Sequence, residues 1–203
     1  MKLRNISILV GVLLLLDQVL KIWIKTTMRI GESISVFGDW FQLRFVENNG
    51  AAFGMQISSG GGVDWGKMAL SGFRACMICA LGYYICYLIK RKAPKGVIIA
   101  MAAIFAGAVG NMIDSAIYGL IFSESTPYSV AQFGGEGYAA FMMGCVVDMF
   151  YFPLFQWNGV PKFLSFLVDS NNYFFGAIFN LADSYISVAV VYLLLFERKF
   201  FNE

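Results

Sequence analysis

Four stretches of this chain are long and apolar enough to cross a lipid bilayer as helices. A hydrocarbon core takes about 20 helical residues, because backbone groups inside it must be hydrogen-bonded within the segment. The windows cover residues 6–24, 68–89, 97–121 and 174–196. With 59% hydrophobic and 14% charged residues, the composition also lies outside the range of soluble domains. The sequence predicts an all-α membrane protein with four transmembrane helices in a single integral membrane domain, residues 1–203.

The first window also has the basic start and apolar run of a secretory signal. No A-x-A cleavage site follows it, and Asp17 and Lys21 interrupt its continuation. We therefore interpret this segment as the first transmembrane helix.

Basic residues near the ends of the windows fall on one side of the membrane. They are Lys2, Arg4, Lys90, Arg91, Lys92, Lys95, Arg198 and Lys199. Under the positive-inside rule this side is the cytoplasm, so both termini are expected there. The two long connections, about 25–67 and 122–173, are then expected at the outer face. The net charge of +2 follows from this topology and gives no reason to expect a nucleic acid partner.

The two outer connections differ in pattern. The first contains SISVFGDWFQLRFVENNGAAFGMQIS, in which β-branched and aromatic residues are mixed with the turn signals GD and NNG. We expect short strands or a hairpin there, forming a small β-rich cradle on the membrane surface. The second is rich in aromatic residues and carries Asp148. We expect it to be a long loop lying in the membrane interface.

Polar side chains interrupt the apolar windows. A charge near the bilayer centre costs about 2.5–3.5 kcal/mol, so each needs a partner, a water-filled cavity or a function. Asp17 and Lys21 stand four residues apart, which is the geometry of an intrahelical ion pair, with a direct chemical role as the alternative. Arg74 has no evident explanation and is a candidate partner for one of the acids.

Two amide–carboxylate pairs share one spacing on different windows. Asn111 precedes Asp114 by three residues, and Asn180 precedes Asp183 by three. Such pairs either fasten two helices together by hydrogen bonds or form a shared polar pocket at the outer face of the bilayer.

Histidine is absent from the chain. Its absence excludes Ser-His-Asp and Cys-His catalytic sets and the usual zinc sites. Three of the four cysteines, Cys76, Cys79 and Cys86, fall in the second window, where small residues that pack helices are favoured over a redox pair.

Five short motifs occur in a fixed order along the chain. They are DQVLK at 17–21, NNGAAFG at 48–54, GNMID at 110–114, VVDMF at 146–150 and FNLADSYI at 179–186. Together they resemble the bacterial lipoprotein signal peptidases, the type II signal peptidases. The resemblance implies an aspartic endopeptidase at the outer leaflet of the bacterial inner membrane. Such an enzyme cuts the signal peptide from prolipoproteins just before a cysteine that bears a diacylglyceryl group.

The resemblance also implies roles for individual residues. The catalytic dyad would be Asp148 and Asp183. The residues that bind substrate or orient the acids would be Asn48, Gly50, Phe53, Asn111 and Asn180. Supporting polar residues would be Asp17, Lys21 and Asp114. No cofactor or metal is implied, the partners would be lipid-modified prolipoproteins and membrane lipids, and the protein is expected to be a monomer.

Two departures from the family pattern stand out. Ser115 follows GNMID where the family usually has arginine, and Arg44 and Arg74 are the candidate substitutes. The interval between Asp114 and Asp148 is also longer than in the family. The additional segment, about 120–145, is expected to form a flap over the site or a partner surface.

The chemistry suits buried carboxylates. Two neighbouring carboxyl groups cannot both ionise readily, so they share one proton and supply an acid and a base to an attacking water. Two other classes remain open from the residues alone: a proton- or ion-coupled carrier and a non-catalytic scaffold. Against the carrier, this sequence shows no internal repeat of the kind from which many transporters are built. The scaffold predicts that Asp→Asn changes reduce abundance, whereas the enzyme predicts normal abundance with lost activity.

Overall fold

The computed structural model describes residues 2–49, 65–161, 164–165, 168–169 and 171–201. Its helices are α1 (Leu3–Thr27), α2 (Trp65–Lys90), α3 (Lys95–Ile113), the short α4 (Gly119–Ile121) and α5 (Leu181–Phe196). Its strands are β1 (Ser33–Phe37), β2 (Phe41–Asn48) and β3 (Val146–Tyr151). A π-helical turn, Asp114–Tyr118, joins α3 to α4, and a 3₁₀ turn, Arg198–Phe201, follows α5. The predicted substrate contacts Gly50 and Phe53 lie outside the described residues.

Three helices in the described part of the chain are long and apolar enough to span a membrane. They are Leu3–Thr27, Gly66–Lys90 and Lys95–Ile121, which agree with the first three predicted windows. The fourth predicted window, 174–196, is only partly helical. Its helix α5 has 16 residues and begins at Leu181, because the side chain of Asn180 caps it and the backbone of Asn180 is extended. The chain is therefore a mostly helical membrane protein, but the predicted count of four spans is not confirmed.

The small residues of α3 let the neighbouring helices pack closely. An added Cβ at Gly107 would lie 2.5 Å from the carbonyl oxygen of Ala182 at the start of α5. An added Cβ at Gly110 would lie 2.7 Å from a carboxylate oxygen of Asp17 on α1. Close approach of this kind is typical of helix packing in membranes. It brings the C-terminal halves of α1 and α3 and the N-terminus of α5 together.

The three strands form an antiparallel sheet in the order β1-β2-β3. The β1–β2 hairpin confirms the strands predicted in the first outer connection. Strand β3 was not predicted, because the second connection was interpreted as a loop. In the register of β2 and β3, Val46 is paired with Asp148 and Asn48 with Val146. Under the sheet, Phe45, Val147 and Met149 are buried, so the strand that carries Asp148 is fixed by apolar packing.

The additional segment 120–145 packs around the C-terminal end of α1. The ammonium group of Lys25 forms an ion pair with Glu47 and donates to the hydroxyl of Ser125 at 2.9 Å. The rings of Phe122 and Tyr138 lie 5.5 Å and 4.8 Å from the same ammonium. These contacts attach the segment to α1 and β2, and its role as a flap or a partner surface stays a prediction.

Candidate active site

Asp183 lies in the first turn of α5. The side chain of Asn180 accepts a hydrogen bond from the backbone N–H of Asp183 at 2.9 Å. In return, a carboxylate oxygen of Asp183 accepts from the backbone N–H of Asn180 at 3.4 Å. This reciprocal capping box stops the helix and fixes both side chains relative to its first turn.

The same asparagine reaches the other predicted acid. The Asn180 amide donates to one carboxylate oxygen of Asp148 at 2.7 Å, and the Asn48 amide donates to the other at 3.2 Å. Asp148 is 3% exposed. Burial, together with the nearby charge of Asp183, raises the pKa of Asp148 to about 7. At neutral pH this carboxyl group is therefore poised to hold or release a proton.

Asn111 of α3 connects the two acids to a charged cluster below them. Its amide donates to Asp183 at 2.9 Å, and its oxygen accepts from Asn180 at 3.1 Å and from the ammonium of Lys21 at 2.8 Å. Both lone pairs of the amide oxygen are thus occupied, so the amide can point only one way. Asp183, Asn180 and Asn111 consequently form one continuous network of hydrogen bonds.

The cluster below the acids is an ion network centred on Lys21, which is fully buried. Its ammonium group lies 3.0 Å from Asp17 and 2.9 Å from Asp114, which confirms the ion pair predicted within α1 and extends it to a second acid. The carboxylate of Asp17 also accepts from the backbone N–H of Ala182 at 3.0 Å, and that of Asp114 from Val147 at 3.2 Å. The network therefore ties α1 directly to the elements that carry Asp183 and Asp148.

Both interpretations of the amide–carboxylate pairs apply to the same residues. Asn111 and Asn180 fasten α3 to α5 by a direct hydrogen bond, and they also line the polar site that holds the acids. Sequence reasoning missed Gln18, whose amide donates to Asp114 at 3.0 Å, and Tyr118, whose hydroxyl donates to Gln18 at 3.1 Å. Gln18 stands inside the DQVLK motif, and this position next to Asp17 was the available signal.

The basic residue expected near the acids does not come from position 115. Ser115 is buried, and its hydroxyl donates to the carbonyl of Asn111 at 3.2 Å. Of the two candidate substitutes, Arg44 lies 5.4 Å over the ring of Tyr151. Arg74 lies on α2, in the second predicted window. That one of them substitutes for the family arginine stays a prediction.

The chemical capacity of the site lies in its paired carboxyl groups. Asn180 donates to both carboxylates, to Asp148 from its side-chain amide and to Asp183 from its backbone N–H, so the two groups lie on either side of this one residue. Such a pair supplies an acid and a base to a water molecule. Among the described residues, no group of three or more Asp, Glu and Cys side chains is arranged to hold a metal ion.

Comparisons with known proteins give one consistent family. A family model described as "Signal peptidase (SPase) II" matches residues 9–198. The chain is 43% identical over 199 residues to a lipoprotein signal peptidase of Porphyromonas gingivalis, with 95% of this chain and 82% of the relative covered. It is 32% identical over 191 residues to a lipoprotein signal peptidase of Amoebophilus asiaticus, with coverages of 90% and 73%.

Solved structures show the same fold. A chain described as a bacterial membrane enzyme superposes with a TM-score of 0.61 at 23% identity, with 97% of this chain and 89% of that chain covered. A second, also described as a bacterial membrane enzyme, gives a TM-score of 0.59 at 22% identity, with coverages of 95% and 92%.

Proposed function

Because the chain belongs to the signal peptidase II family, we propose that Asp148 and Asp183 are the catalytic dyad of this aspartic-type peptidase. Its reaction is removal of the signal peptide from prolipoproteins, the activity for which its relatives are named. The single observation that supports the dyad most strongly is that Asn180 donates to the carboxylates of both acids, to Asp148 from its side-chain amide and to Asp183 from its backbone N–H. A carrier or a scaffold does not require two carboxyl groups held by one residue.

The division of protons in the dyad follows from its surroundings. One carboxyl group is protonated and one is ionised, because two adjacent charges in a site of low dielectric constant repel strongly. The ionised group removes a proton from a water molecule, whose oxygen attacks the scissile carbonyl carbon. The protonated group donates to the carbonyl oxygen. When the tetrahedral intermediate collapses, the C–N bond breaks and the amine leaves with a proton from the dyad.

The amides around the dyad keep the acids in position during these transfers. Asn48 and Asn180 donate to Asp148, while Asn111 donates to Asp183. Neither acid can then rotate away from the water without breaking a hydrogen bond. The ion network of Asp17, Lys21 and Asp114 holds the backbone below them and takes no part in proton transfer.

The substrate approaches the dyad along the segment that follows β2. Asn48 ends that strand beside Asp148, and the residues that follow it in sequence, Gly50, Ala51 and Ala52, have little side-chain bulk to oppose an extended peptide. Gly50 would allow the peptide backbone to come close, and Phe53 would contact its apolar side chains. The cut falls before a cysteine that carries a diacylglyceryl group, and the acyl chains remain in the bilayer. Enzyme and substrate are thus confined to one plane.

The fold is a single integral membrane domain in the bacterial inner membrane, with α5 as its fourth span. Its 16 residues extend about 24 Å, short of a hydrocarbon core of about 30 Å. The polar site at the N-terminus of α5 occupies the outer part of the hydrocarbon core that the helix does not span. Both termini face the cytoplasm, the dyad faces the periplasm, and the monomer is the working unit, surrounded by membrane lipids.

Cleavage of a defined substrate tests this function. The purified protein is incubated with a diacylglyceryl-modified model prolipoprotein and, in parallel, with the same polypeptide lacking the lipid, and the products are weighed by mass spectrometry. We expect one cut, just before the lipidated cysteine, and a much lower rate on the unmodified polypeptide. Equal rates on the two substrates, or a cut at another position, would show that the enzyme does not recognise the lipid.

A further inference from the structure

The side chain of Lys67, in the first turn of α2, contacts residues from two separate parts of the chain. Its ammonium group donates to the side-chain oxygen of Asn49 at 3.1 Å and to the carbonyl oxygen of Met143 at 2.8 Å. The sulfur of Cys145 lies 4.0 Å from the same nitrogen, and its thiol donates to the side-chain oxygen of Asn49 at 3.1 Å. Lys67 therefore joins the residue that follows β2 to the residues that precede β3.

These contacts lie directly beyond the end of the β2–β3 ladder. The last pair of that ladder contains Asn48. Asn49 and Cys145 are the next residues along the two chains, and their thiol–amide hydrogen bond joins them where the strands end. The ammonium of Lys67 thus closes the end of the sheet at which the Asn48 amide donates to Asp148 at 3.2 Å.

The amides of Asn48 and Asn180, which both donate to Asp148, are fixed to different degrees. Asn180 is fully buried and donates at 2.7 Å. Asn48 is exposed and donates at 3.2 Å from the last position of β2. Chain segments at the ends of elements open more readily than their centres, because fewer apolar contacts and protected hydrogen bonds hold them. The position of the Asn48 amide therefore depends on contacts that its neighbours make.

Both sequence neighbours of Asn48 are held by lysines. Glu47 forms the ion pair with Lys25 on α1, and Asn49 accepts from Lys67 on α2. The two lysines approach from different helices, so they hold the chain on either side of Asn48. Lys67 in addition contacts the chain that leads into β3, the strand that carries the proposed catalytic acid.

The chain that leads into β3 is itself held from two sides. Ser71, one turn along α2 from Lys67, donates to the carbonyl oxygen of Met142 at 3.2 Å. From the other side, the backbone N–H of Gly144 donates to the carbonyl oxygen of Ser115 in the π-helical turn at 2.8 Å. An added Cβ at Gly144 would collide with the backbone of that turn. Strand β3 therefore starts from a fixed position, to which Lys67 attaches the end of β2.

From these contacts we propose that Lys67 is a positioning residue that keeps the Asn48 amide on the carboxyl group of Asp148. Its ammonium does so by holding Asn49 to the start of β3. The inference rests on the proposed function, in which Asp148 is one acid of the dyad. It also gives a role to the last residues of the additional segment, 142–145, which supply partners for this contact.

Cleavage kinetics of the diacylglyceryl-modified model prolipoprotein test the role of Lys67. Methionine keeps the length and the apolar stem of this side chain but cannot donate a hydrogen bond. We therefore expect Lys67→Met to lower kcat about 10-fold and to change KM less than about 2-fold. Lys67→Arg retains a cation with donors and should recover most of the rate. Lys90→Met, which replaces an exposed lysine at the other end of α2, is the matched control and should behave like the wild type.

A cycle of double variants with Asn48 separates positioning from a general loss of structure. In Asn48→Ala the amide that Lys67 positions is gone, while Asn180 still donates to Asp148, so we expect a residual rate. Lys67→Met should lower kcat in the wild-type background and change it less than about 2-fold in the Asn48→Ala background. Equal losses in the two backgrounds, or a wild-type kcat in Lys67→Met, would overturn the inference.

Should Lys67→Met fold poorly, Asn49→Ala tests the same contact from its other side. Asn49 is exposed, and its replacement removes the oxygen to which Lys67 and Cys145 donate. We expect a similar fall in kcat that again disappears in the Asn48→Ala background. A wild-type kcat in Asn49→Ala would also overturn the inference. A wild type that does not cut, or an Asp148→Asn variant that does, would instead overturn the proposed dyad.

Discussion

Asn180 uses one short side chain to serve three groups of the site. Its oxygen caps α5 at the backbone of Asp183, while its amide donates to Asp148 and to Asn111. It is fully buried, so no water competes for these bonds. The relative position of the two acids is therefore set by a helix cap, a local feature, and by one long-range amide contact.

Asn111 supplies the second amide that positions the acids. Truncating its side chain tests this role. In Asn111→Ala, Asp183 loses its side-chain donor and Lys21 loses an acceptor. We expect kcat to fall about 100-fold through misplacement of Asp183, with a loss of stability of about 1–3 kcal/mol. Single-turnover cleavage and thermal unfolding measure the two effects. Asn5→Ala, at the exposed start of α1, is the control and should change neither.

The raised pKa of Asp148 makes a prediction about stability as well as activity. Its pKa is about 7 in the folded protein and 3.8 in the unfolded chain, so this carboxyl group opposes folding increasingly as pH rises from about 4 to 7. Asparagine at this position cannot ionise. The stability of Asp148→Asn relative to wild type should therefore increase by up to about 1.4 kcal/mol per pH unit over that range.

Thermal unfolding of both proteins at pH 5 and pH 8 gives the difference. Asp148 accepts hydrogen bonds from two amides, and an asparagine at this position keeps only one of these bonds. This loss lowers the stability of the variant equally at both pH values. A difference that does not change with pH would show that Asp148 ionises normally in the folded state.

At the scale of elements, the site depends on how closely α3 approaches α5. A methyl group at Gly107 would lie 2.5 Å from the carbonyl oxygen of Ala182 and 2.7 Å from the side chain of Ile186. Since backbone cannot yield without moving the first turn of α5, we expect Gly107→Ala to displace Asp183 and lower kcat at least 10-fold. Gly72→Ala on α2 is the matched control, because nothing lies within 4 Å of its added Cβ. Equal activities for the two variants would mean that the α3–α5 contact is not what positions the acid.

The buried ion pair at the end of α1 attaches the additional segment to the sheet. In Lys25→Met, Glu47 is left without its cation in a nearly closed site. Breaking one side of such a pair costs about 3–5 kcal/mol. The double variant Lys25→Met with Glu47→Gln should recover much of that loss, since no charge then remains uncompensated. The unfolding temperatures of Lys25→Met, Glu47→Gln and the double variant are compared with that of the wild type. A loss in the double variant equal to the sum of the two single losses would contradict the pairing.

The elements also show which parts of the site the sequence could reveal. Motif order and hydropathy led to α1, α2, α3 and the β1–β2 hairpin. Strand β3 was missed because VVDMFY is buried almost throughout, and a short buried strand has no alternation that separates it from a loop. The start of α5 was placed too early because hydropathy continues through residues 174–179, while the helix is stopped by the Asn180 cap.

Contacts between residues distant in sequence explain the remaining omissions. Gln18 bonds to Asp114 and Tyr118, which are about a hundred positions away. The backbone bond from Val147 to Asp114 depends on where the sheet docks on the bundle. Neither contact can be predicted from the residues next to it in the sequence.

The proposed topology requires that the whole molecule takes one orientation in the membrane. In a variant whose own cysteines are replaced by serine, Tyr128→Cys and Lys95→Cys place single thiols at opposite ends of the bundle. Tyr128 is 89% exposed and lies in the additional segment, while Lys95 begins α3. A membrane-impermeant maleimide should label the first in intact spheroplasts and the second only after permeabilisation. The reverse result would place the dyad on the cytoplasmic face.

We propose that Asp148 and Asp183 together perform the hydrolysis, and single-turnover cleavage of the diacylglyceryl-modified substrate tests this dyad. Wild type, Asp148→Asn and Asp183→Asn are compared at equal folded amounts. Asp169→Asn is the control, because that carboxylate accepts from the hydroxyl of Tyr151 at 2.6 Å, outside the site. We predict no detectable peptide release from either dyad variant and a near-normal rate from Asp169→Asn. Full activity in Asp148→Asn or Asp183→Asn would contradict the dyad.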